Sequence, residues 1–287
     1  MAPEDDIRGM PELPEVETIK RQLNNFIVGK KIKKIEIRLP KIVQLMAPIK
    51  FKSLFQGTTI KKVSRRGKVL IISLNNNYSL VIHFKLTGQI IFIPPRDINQ
   101  KIDKHTHLIY YFDDNSCLIH NDIRQFGYVR PIKTNELDEY FAGQNFGPEP
   151  LEKDFTLKKF IELLKHKPNQ KIKPLLIDQT FISGIGNIYS QEICFCAKIL
   201  PTRLIKTLAD RDIKNIYKCL KQILKNSIKY RGTSSDTYLD AQGKEGDYVP
   251  RLRVYGREGK KCFRCGGMVK KITLAERGTS YCPSCQR

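Results

Sequence analysis

Acidic residues are scarce in this sequence, long apolar runs are missing, and no internal repeat or low-complexity tract interrupts it. The 287 residues hold 29 Asp+Glu against 51 Lys+Arg, a formal charge of +22 and a pI near 9.7. So large a surplus points to a polyanionic partner, nucleic acid before an anionic membrane surface. The membrane alternative needs one basic amphipathic helix, whereas the charge here runs from Lys20 to Arg287. It thickens at Lys61, Lys62, Arg65, Arg66 and Lys68, and again over residues 251–271, where eight basic residues meet Glu258 alone. A lysine-rich genome composition is the competing source, but it would not by itself make acids scarce. Apolar stretches such as Val69–Ser73 fall far short of the roughly 18 residues that cross a bilayer. The opening Met1–Gly9 is polar and acidic, unlike a secretion signal, so the chain reads as a soluble protein of the cell interior. At 40% hydrophobic residues it can bury real cores, and its length suits about two domains of roughly 100–200 residues.

The eight cysteines divide into two groups. Cys262-Phe-Arg-Cys265 and Cys282-Pro-Ser-Cys285 are two CxxC pairs separated by sixteen residues. Each short turn aims two sulfurs at one point and the spacer has room for a hairpin, which suits one tetrahedral zinc ion. With four thiolates and no open position, that zinc is expected to hold structure and perform no chemistry. Cys117, Cys194, Cys196 and Cys219 lie in apolar contexts and are expected as buried small hydrophobes, disulfides being disfavoured without a secretion signal.

Along the chain, Val16, Ile19, Leu23 and Phe26 or Ile27 share one helical face ending at Gly29. From Lys31 to His120 the period changes to two, and strands are predicted at residues 32–39, 69–74, 80–84, 89–93, 108–112 and 116–120, with Asp113–Asn115 as a hairpin turn. These features predict an α+β protein whose N-terminal domain, residues 10–142, is an antiparallel sandwich or barrel with flanking helices. Gly143, Gly147, Pro148 and Pro150 mark a linker over 143–154. Helices are predicted at 155–164, 172–179, 188–197 and about 208–230, the last with Thr207 and Asp210 as its capping signal. A polar stretch follows over 233–248 within a helical domain of residues 155–250, and then the cysteine-bearing tail, residues 251–287.

Met10-Pro-Glu-Leu-Pro-Glu15, Lys68, His83, Asn121-Asp-Ile-Arg-Gln-Phe-Gly127, Gly184-Ile-Gly-Asn-Ile-Tyr189 and the four cysteines occur in one order over nearly the whole chain. Together they resemble the formamidopyrimidine-DNA glycosylases, bacterial enzymes that excise 8-oxoguanine and ring-opened purines. The resemblance implies an N-terminal antiparallel β-sandwich, a C-terminal helix-two-turn-helix domain and a zinc β-hairpin finger. It also implies a cytoplasmic enzyme acting on damaged double-stranded DNA and on no membrane; nothing in the sequence requires a dimer, so a monomer is expected.

Read alone, Pro11-Glu12-Leu13-Pro14-Glu15 is a helix start whose acids favour the dipole. The resemblance gives Pro11, once N-terminal, the role of secondary-amine nucleophile and Glu12 that of general acid/base. Glu15 matches a family acid that either acts or orients. Met1–Gly9 precedes this motif; while attached, it leaves Pro11 as an amide without a nucleophilic lone pair. Met10 is therefore expected to be the true start, with residues 1–9 absent from the mature protein.

By the same resemblance Lys68, His83 and Arg277 contact phosphates, Arg277 from a hairpin tip over 277–281. Leu86 stands where many relatives carry methionine, and Lys85 where they carry glycine. Leu86, Arg124 and Phe126 would fill the space of an extruded base, a role base flipping demands; composition alone would place Phe126 in a core and Arg124 on the surface. Asn187, at the positive end of a helix behind Gly184 and Gly186, would add a phosphate donor. Residues 233–248 align with a loop that closes over the flipped base in relatives.

Overall fold

The computed structural model describes residues 10–97, 102–234 and 237–287; the expectation about Met1–Gly9 lies outside them. Of the described residues, one compact unit holds 10–144 together with Tyr230–Asp247, and the other holds Asn145–Lys229 with Tyr248–Arg287.

The first unit is a β-sandwich. One antiparallel sheet has the order β1-β6-β7-β5, from β1 (Ile32–Ile37), β5 (Gly88–Ile93), β6 (Thr106–Phe112) and β7 (Cys117–Asp122). The other has the order β2-β3-β4-β8, from β2 (Ile60–Arg66), β3 (Val69–Leu74), β4 (Tyr78–His83) and β8 (Tyr128–Lys133). Alternate residues of both sheets meet in one core: Leu70, Ile72 and Leu74 from β3, Leu80 and Ile82 from β4, Leu108, Tyr110 and Phe112 from β6. Helix α1 (Leu13–Ile27) adds Val16, Ile19, Leu23 and Ile27 to that core. Its Asn24 both donates to Val63 O (2.7 Å) and accepts from Val63 N (3.2 Å), satisfying the outer edge of β2.

Strands β2 and β8 and helix α2 (Pro48–Phe55) go beyond the periodicity reading. In β2, Ile-Lys-Lys-Val-Ser-Arg-Arg buries only Ile60 and Val63, so its apolar signal is thin. Pro131 argues against a strand, yet β8 is the edge of its sheet, where a missing N–H costs no ladder bond. The predicted turn at Asp113–Asn115 is present, with Asn115 at φ 63° and its N–H on Phe112 O. The chain also contains a short α3 (Leu137–Ala142).

The second unit contains α4 (Leu157–Lys165), α5 (Ile172–Ile177), α6 (Asn187–Ala197), α7 (Asp210–Lys229) and the hairpin of β9 (Lys270–Leu274) with β10 (Arg277–Tyr281). Phe155, Phe160, Phe181 and Tyr217 form its aromatic cluster. At the start of α7, Asp212 accepts from Ala209 N (3.2 Å), while Thr207 donates back to Leu204 O (2.8 Å); the cap is Asp212 and not the predicted Thr207–Asp210 pair. Buried Glu192 of α6 accepts from the backbone N–H groups of Arg253, Val254 and Tyr255, each at 2.9 Å. These bonds, with Ser280 N on Gln191 Oε1 (2.7 Å), fasten the cysteine-bearing tail to α6.

Two of the four cysteines expected as buried small hydrophobes are instead bonded to each other. Cys196 and Cys219 are joined as a disulfide between α6 and α7, because the packing of the two helices brings their Cα atoms to 5.8 Å; Cys117 and Cys194 remain buried thiols. The sequence separation is 23 residues, which by chain entropy stabilises by about 3 kcal/mol. Thiol titration of the unreduced protein, denatured in chelator, should give six free thiols. Eight would contradict the bond; reduction should lower the thermal midpoint.

Candidate nucleic-acid and active site

Capping physics fixes the N-terminus of α1. Glu12 is its N-cap; its carboxylate accepts from the N–H of Glu15, and Glu15 Oε2 accepts from Glu12 N (2.9 Å), a reciprocal capping box. Pro14 at the second helical position needs no donor there. Pro11, Glu12 and Glu15 are all buried, Glu12 at 2% and Glu15 at 1% exposure. The second oxygen of Glu15 accepts from Thr233 N (2.8 Å). Glu15 thus holds the backbone N–H groups of Glu12 and Thr233. Gly232, at φ +86°, lies so close that a Cβ there would sit 2.8 Å from Glu15 Oε1.

Lys68 occupies the two-residue turn after Gly67 (φ 56°) between β2 and β3 and is 7% exposed. His83 ends β4; its Nδ1 accepts from Lys85 N (2.9 Å), so the ring proton resides on Nε2, ready to donate. Burial first, then the neighbouring charges of Lys85, Lys68 and Arg130, hold the imidazole down to about 3. A neutral donor among three cations suits a phosphate oxygen. In the free protein the His83 resonance should not titrate between pH 8 and 5, and a midpoint in that window would contradict this environment. The unfolded chain takes up the proton first, so His83 contributes stability above about 6.5 that is lost as pH falls toward about 3.

The turn after His83 carries Leu86, half-buried, and Lys85 at φ 51°. Left-handed backbone costs a side chain roughly 1 kcal/mol, which accounts for glycine being the easier residue there. Between β7 and β8, residues Ile123–Phe126 are all exposed. Phe126 is 54% exposed and the Arg124 guanidinium stands 5.1 Å from its ring; the reading of Phe126 as a core residue does not hold. Asp122, fully buried, ties this loop down from both sides. It accepts from Gly127 N (2.7 Å) and Arg124 N (3.2 Å), and in a short bond from the Thr87 hydroxyl, whose oxygen in turn accepts from Arg124 N (2.9 Å). Asp122 and Thr87 thus join the Leu86 turn to the Arg124–Phe126 loop. Asp122 lies within the Asn121–Gly127 motif, and the one signal for it in the sequence is an acid two residues before Arg124.

In the second unit the turn before α6 is clamped by Gln179, whose Nε2 donates to Ile177 O and Ile185 O and whose Oε1 accepts from Gly184 N, each at 2.8 Å. Gly184 has φ +96°. Asn187 accepts from Lys173 Nζ (2.8 Å) and donates one Nδ2 hydrogen to Gly278 O (3.3 Å), leaving the second amide hydrogen for a further acceptor. Gln191 Nε2 also reaches Gly278 O (3.1 Å), so α6 holds the strand that begins with Arg277. The hairpin tip itself is Ala275–Glu276, both at positive φ, and not 277–281 as predicted: the two-residue turn leaves Arg277 as the first residue of β10.

The sulfurs of Cys262, Cys265, Cys282 and Cys285 lie within 4.8 Å of one another, with Cys262–Cys285 at 3.9 Å and Cys265–Cys282 at 3.5 Å. A tetrahedron with Zn–S bonds of about 2.3 Å has S–S edges of about 3.8 Å, so the four thiolates are positioned to bind one zinc ion.

The formamidopyrimidine-DNA glycosylase N-terminal domain matches residues 10–129, that family's H2TH domain matches 146–238, and the zinc finger found in FPG and IleRS matches 259–287. A formamidopyrimidine-DNA glycosylase of Heliobacterium modesticaldum is 40% identical over 97% of this chain and 100% of its own. The chain belongs to the formamidopyrimidine-DNA glycosylase family. The Lactococcus lactis relative is 41% identical over 97% of this chain and 100% of its own length. Its structure with abasic-site DNA superposes with a TM-score of 0.89 at 39% identity, covering 96% of this chain and 99% of that one. Another structure of the same relative, at TM-score 0.88 and 39% identity over 96% of this chain and 100% of that one, holds DNA containing an oxidised pyrimidine. Among the described residues no helix is long and apolar enough to cross a membrane.

Proposed function

We propose that the chain excises 8-oxoguanine and formamidopyrimidines from duplex DNA and then cleaves the strand by β,δ-elimination, acting as a monomer in base excision repair at the bacterial nucleoid. The observation that carries this reading is the start of α1, where Pro11 and Glu12 are buried side by side and the carboxylate of Glu15 holds the backbone of Glu12. With Met10 removed, the Pro11 amine attacks the anomeric carbon of the damaged nucleotide and the glycosidic bond breaks with its electrons on the departing base. The amine, being secondary, becomes a cationic iminium, an electron sink through which the 3′ and then the 5′ phosphate are eliminated. Glu12 supplies the proton for sugar-ring opening. Lys68, His83, Asn187 and Arg277 hold phosphates, while Leu86, Arg124 and Phe126 replace the extruded base and separate its neighbours. Zinc holds the hairpin that carries Arg277, outside the chemistry.

A second reading, preference for oxidised pyrimidines, draws on the oxidised-pyrimidine DNA bound by the Lactococcus lactis relative. Excision rates on 8-oxoguanine opposite cytosine and on an oxidised thymine decide between them. Faster purine release is expected, and faster pyrimidine release would overturn the purine assignment.

A further inference from the structure

The end of β4 meets the start of β8, with His83 opposite Tyr128 and Val81 opposite Arg130. His83, Tyr128 and Arg130 therefore share one face of the sheet. The Tyr128 ring is their common platform: it lies 5.7 Å from the ring of His83, 5.9 Å from Lys85 Nζ and 4.1 Å from the Arg130 guanidinium. The last is a stacked cation, whose contact sets the plane of the guanidinium.

Neutral groups hold that plane from its edge. Arg130 Nε donates to Gln44 Oε1 (2.9 Å) and Nη1 to Tyr140 Oη (3.0 Å). Gln44 is itself placed on β8, because its N–H donates to Val129 O (2.9 Å), and Tyr140 comes from α3. The remaining N–H groups of Arg130 meet no acceptor among the described residues, and no carboxylate there pairs with it. The charges acting on the buried His83 ring are likewise all cations: Lys85, Lys68 and Arg130. A half-buried guanidinium that is oriented by neutral partners and left without a counter-charge gains most from an incoming anion.

We infer that Arg130 is a phosphate seat: fixed by Gln44, Tyr140 and the Tyr128 ring, its guanidinium binds a second backbone phosphate of the DNA, beside the one assigned to Lys68 and His83. This rests on the glycosylase reading above. Arg130 touches no reacting atom and reads no base. A planar fork already held in place matches a phosphate in two-point fashion, and such a contact contributes affinity and register equally on any sequence.

The test measures binding by the full chain beginning at Pro11, across a salt series. One duplex carries a tetrahydrofuran in place of the damaged nucleotide, which strand cleavage cannot consume; the other is undamaged. Arg130→Met keeps the stem and removes the charge, so the slope of log affinity against log salt should become shallower by about 0.9. Affinity at low salt should fall about tenfold on both duplexes. Lys33→Met, at an exposed site on β1 of the other sheet, removes the same net charge and should leave the slope at the parent's value. Arg130→Lys keeps the charge without the fork: its slope should match the parent while its affinity falls about threefold. A slope in Arg130→Met equal to the parent's or to that of Lys33→Met, a loss confined to the lesion duplex, or full affinity in Arg130→Lys would overturn the inference. A parent protein that binds neither duplex would overturn the proposed function itself, and the seat with it.

Discussion

Glu12→Gln should lower base excision by about 10²- to 10⁴-fold, the range a positioned general acid contributes, and leave the thermal midpoint unchanged. The expectation follows from the two duties of this side chain. As N-cap it accepts a hydrogen bond from the N–H of Glu15, and a glutamine oxygen can do the same; in its proposed role as proton donor to the sugar it has no amide equivalent. Glu12→Ala should lose the proton and also about 1 kcal/mol of helix capping, which separates the two duties by calorimetry. Excision by Glu12→Gln within threefold of the parent would remove Glu12 from the chemistry and leave it a cap. Because Glu15 Oε2 holds the Glu12 backbone and Oε1 holds Thr233 N, Glu15→Ala should disturb both excision and the 233–247 segment.

Zinc removal is the second large effect. A two-stranded hairpin is marginal by itself, and the apolar cluster beneath the finger is small: Phe195, Val254, Val269 and two of the cysteines themselves. Without metal the four thiolates have nothing to hold them together, and β10 loses its register against α6. Arg277 and the Gly278 carbonyl that accepts from Asn187 and Gln191 then lose their positions together. Losing one charge-assisted phosphate contact costs about 1.5–3 kcal/mol, so affinity for lesion duplex should fall about 10- to 100-fold in chelator or in Cys282→Ser. Re-addition of zinc should restore the parent and not the variant. Full affinity after chelation, with metal loss verified by mass, would place the DNA contacts elsewhere.

What could be read from residues alone was whatever had a short period or a short spacing. The face of α1, the central strands 69–74 and 80–84 and both CxxC pairs were legible because neighbours in sequence carry the signal. Strand β2 was not, since its exposed face is Lys and Arg and only Ile60 and Val63 point inward. Neither was the Cys196–Cys219 bond, which depends on how α6 packs on α7. The anchors of the site were the least visible. Glu15 meets Thr233 and Gln22 meets Asp240, each across 218 residues, and no local pattern in a single sequence encodes such pairs. The family resemblance named the candidate DNA contacts; the structure added residues that hold their loops, Asp122, Thr87 and Gln191. The 233–248 stretch, expected within the helical domain, packs instead with the β-sandwich unit through residue 247, because Tyr238 and Ala241 belong to the sandwich core.

The most direct measurement is borohydride trapping on an 8-oxoguanine duplex, comparing protein that begins at Pro11 with protein that keeps residues 1–10, the N-terminal mass of each being verified. A covalent protein–DNA adduct is expected from the first and none from the second, since the Pro11 nitrogen held in an amide has no lone pair with which to form the iminium that borohydride reduces. No adduct from the Pro11 protein, or equal adduct from both, would contradict it.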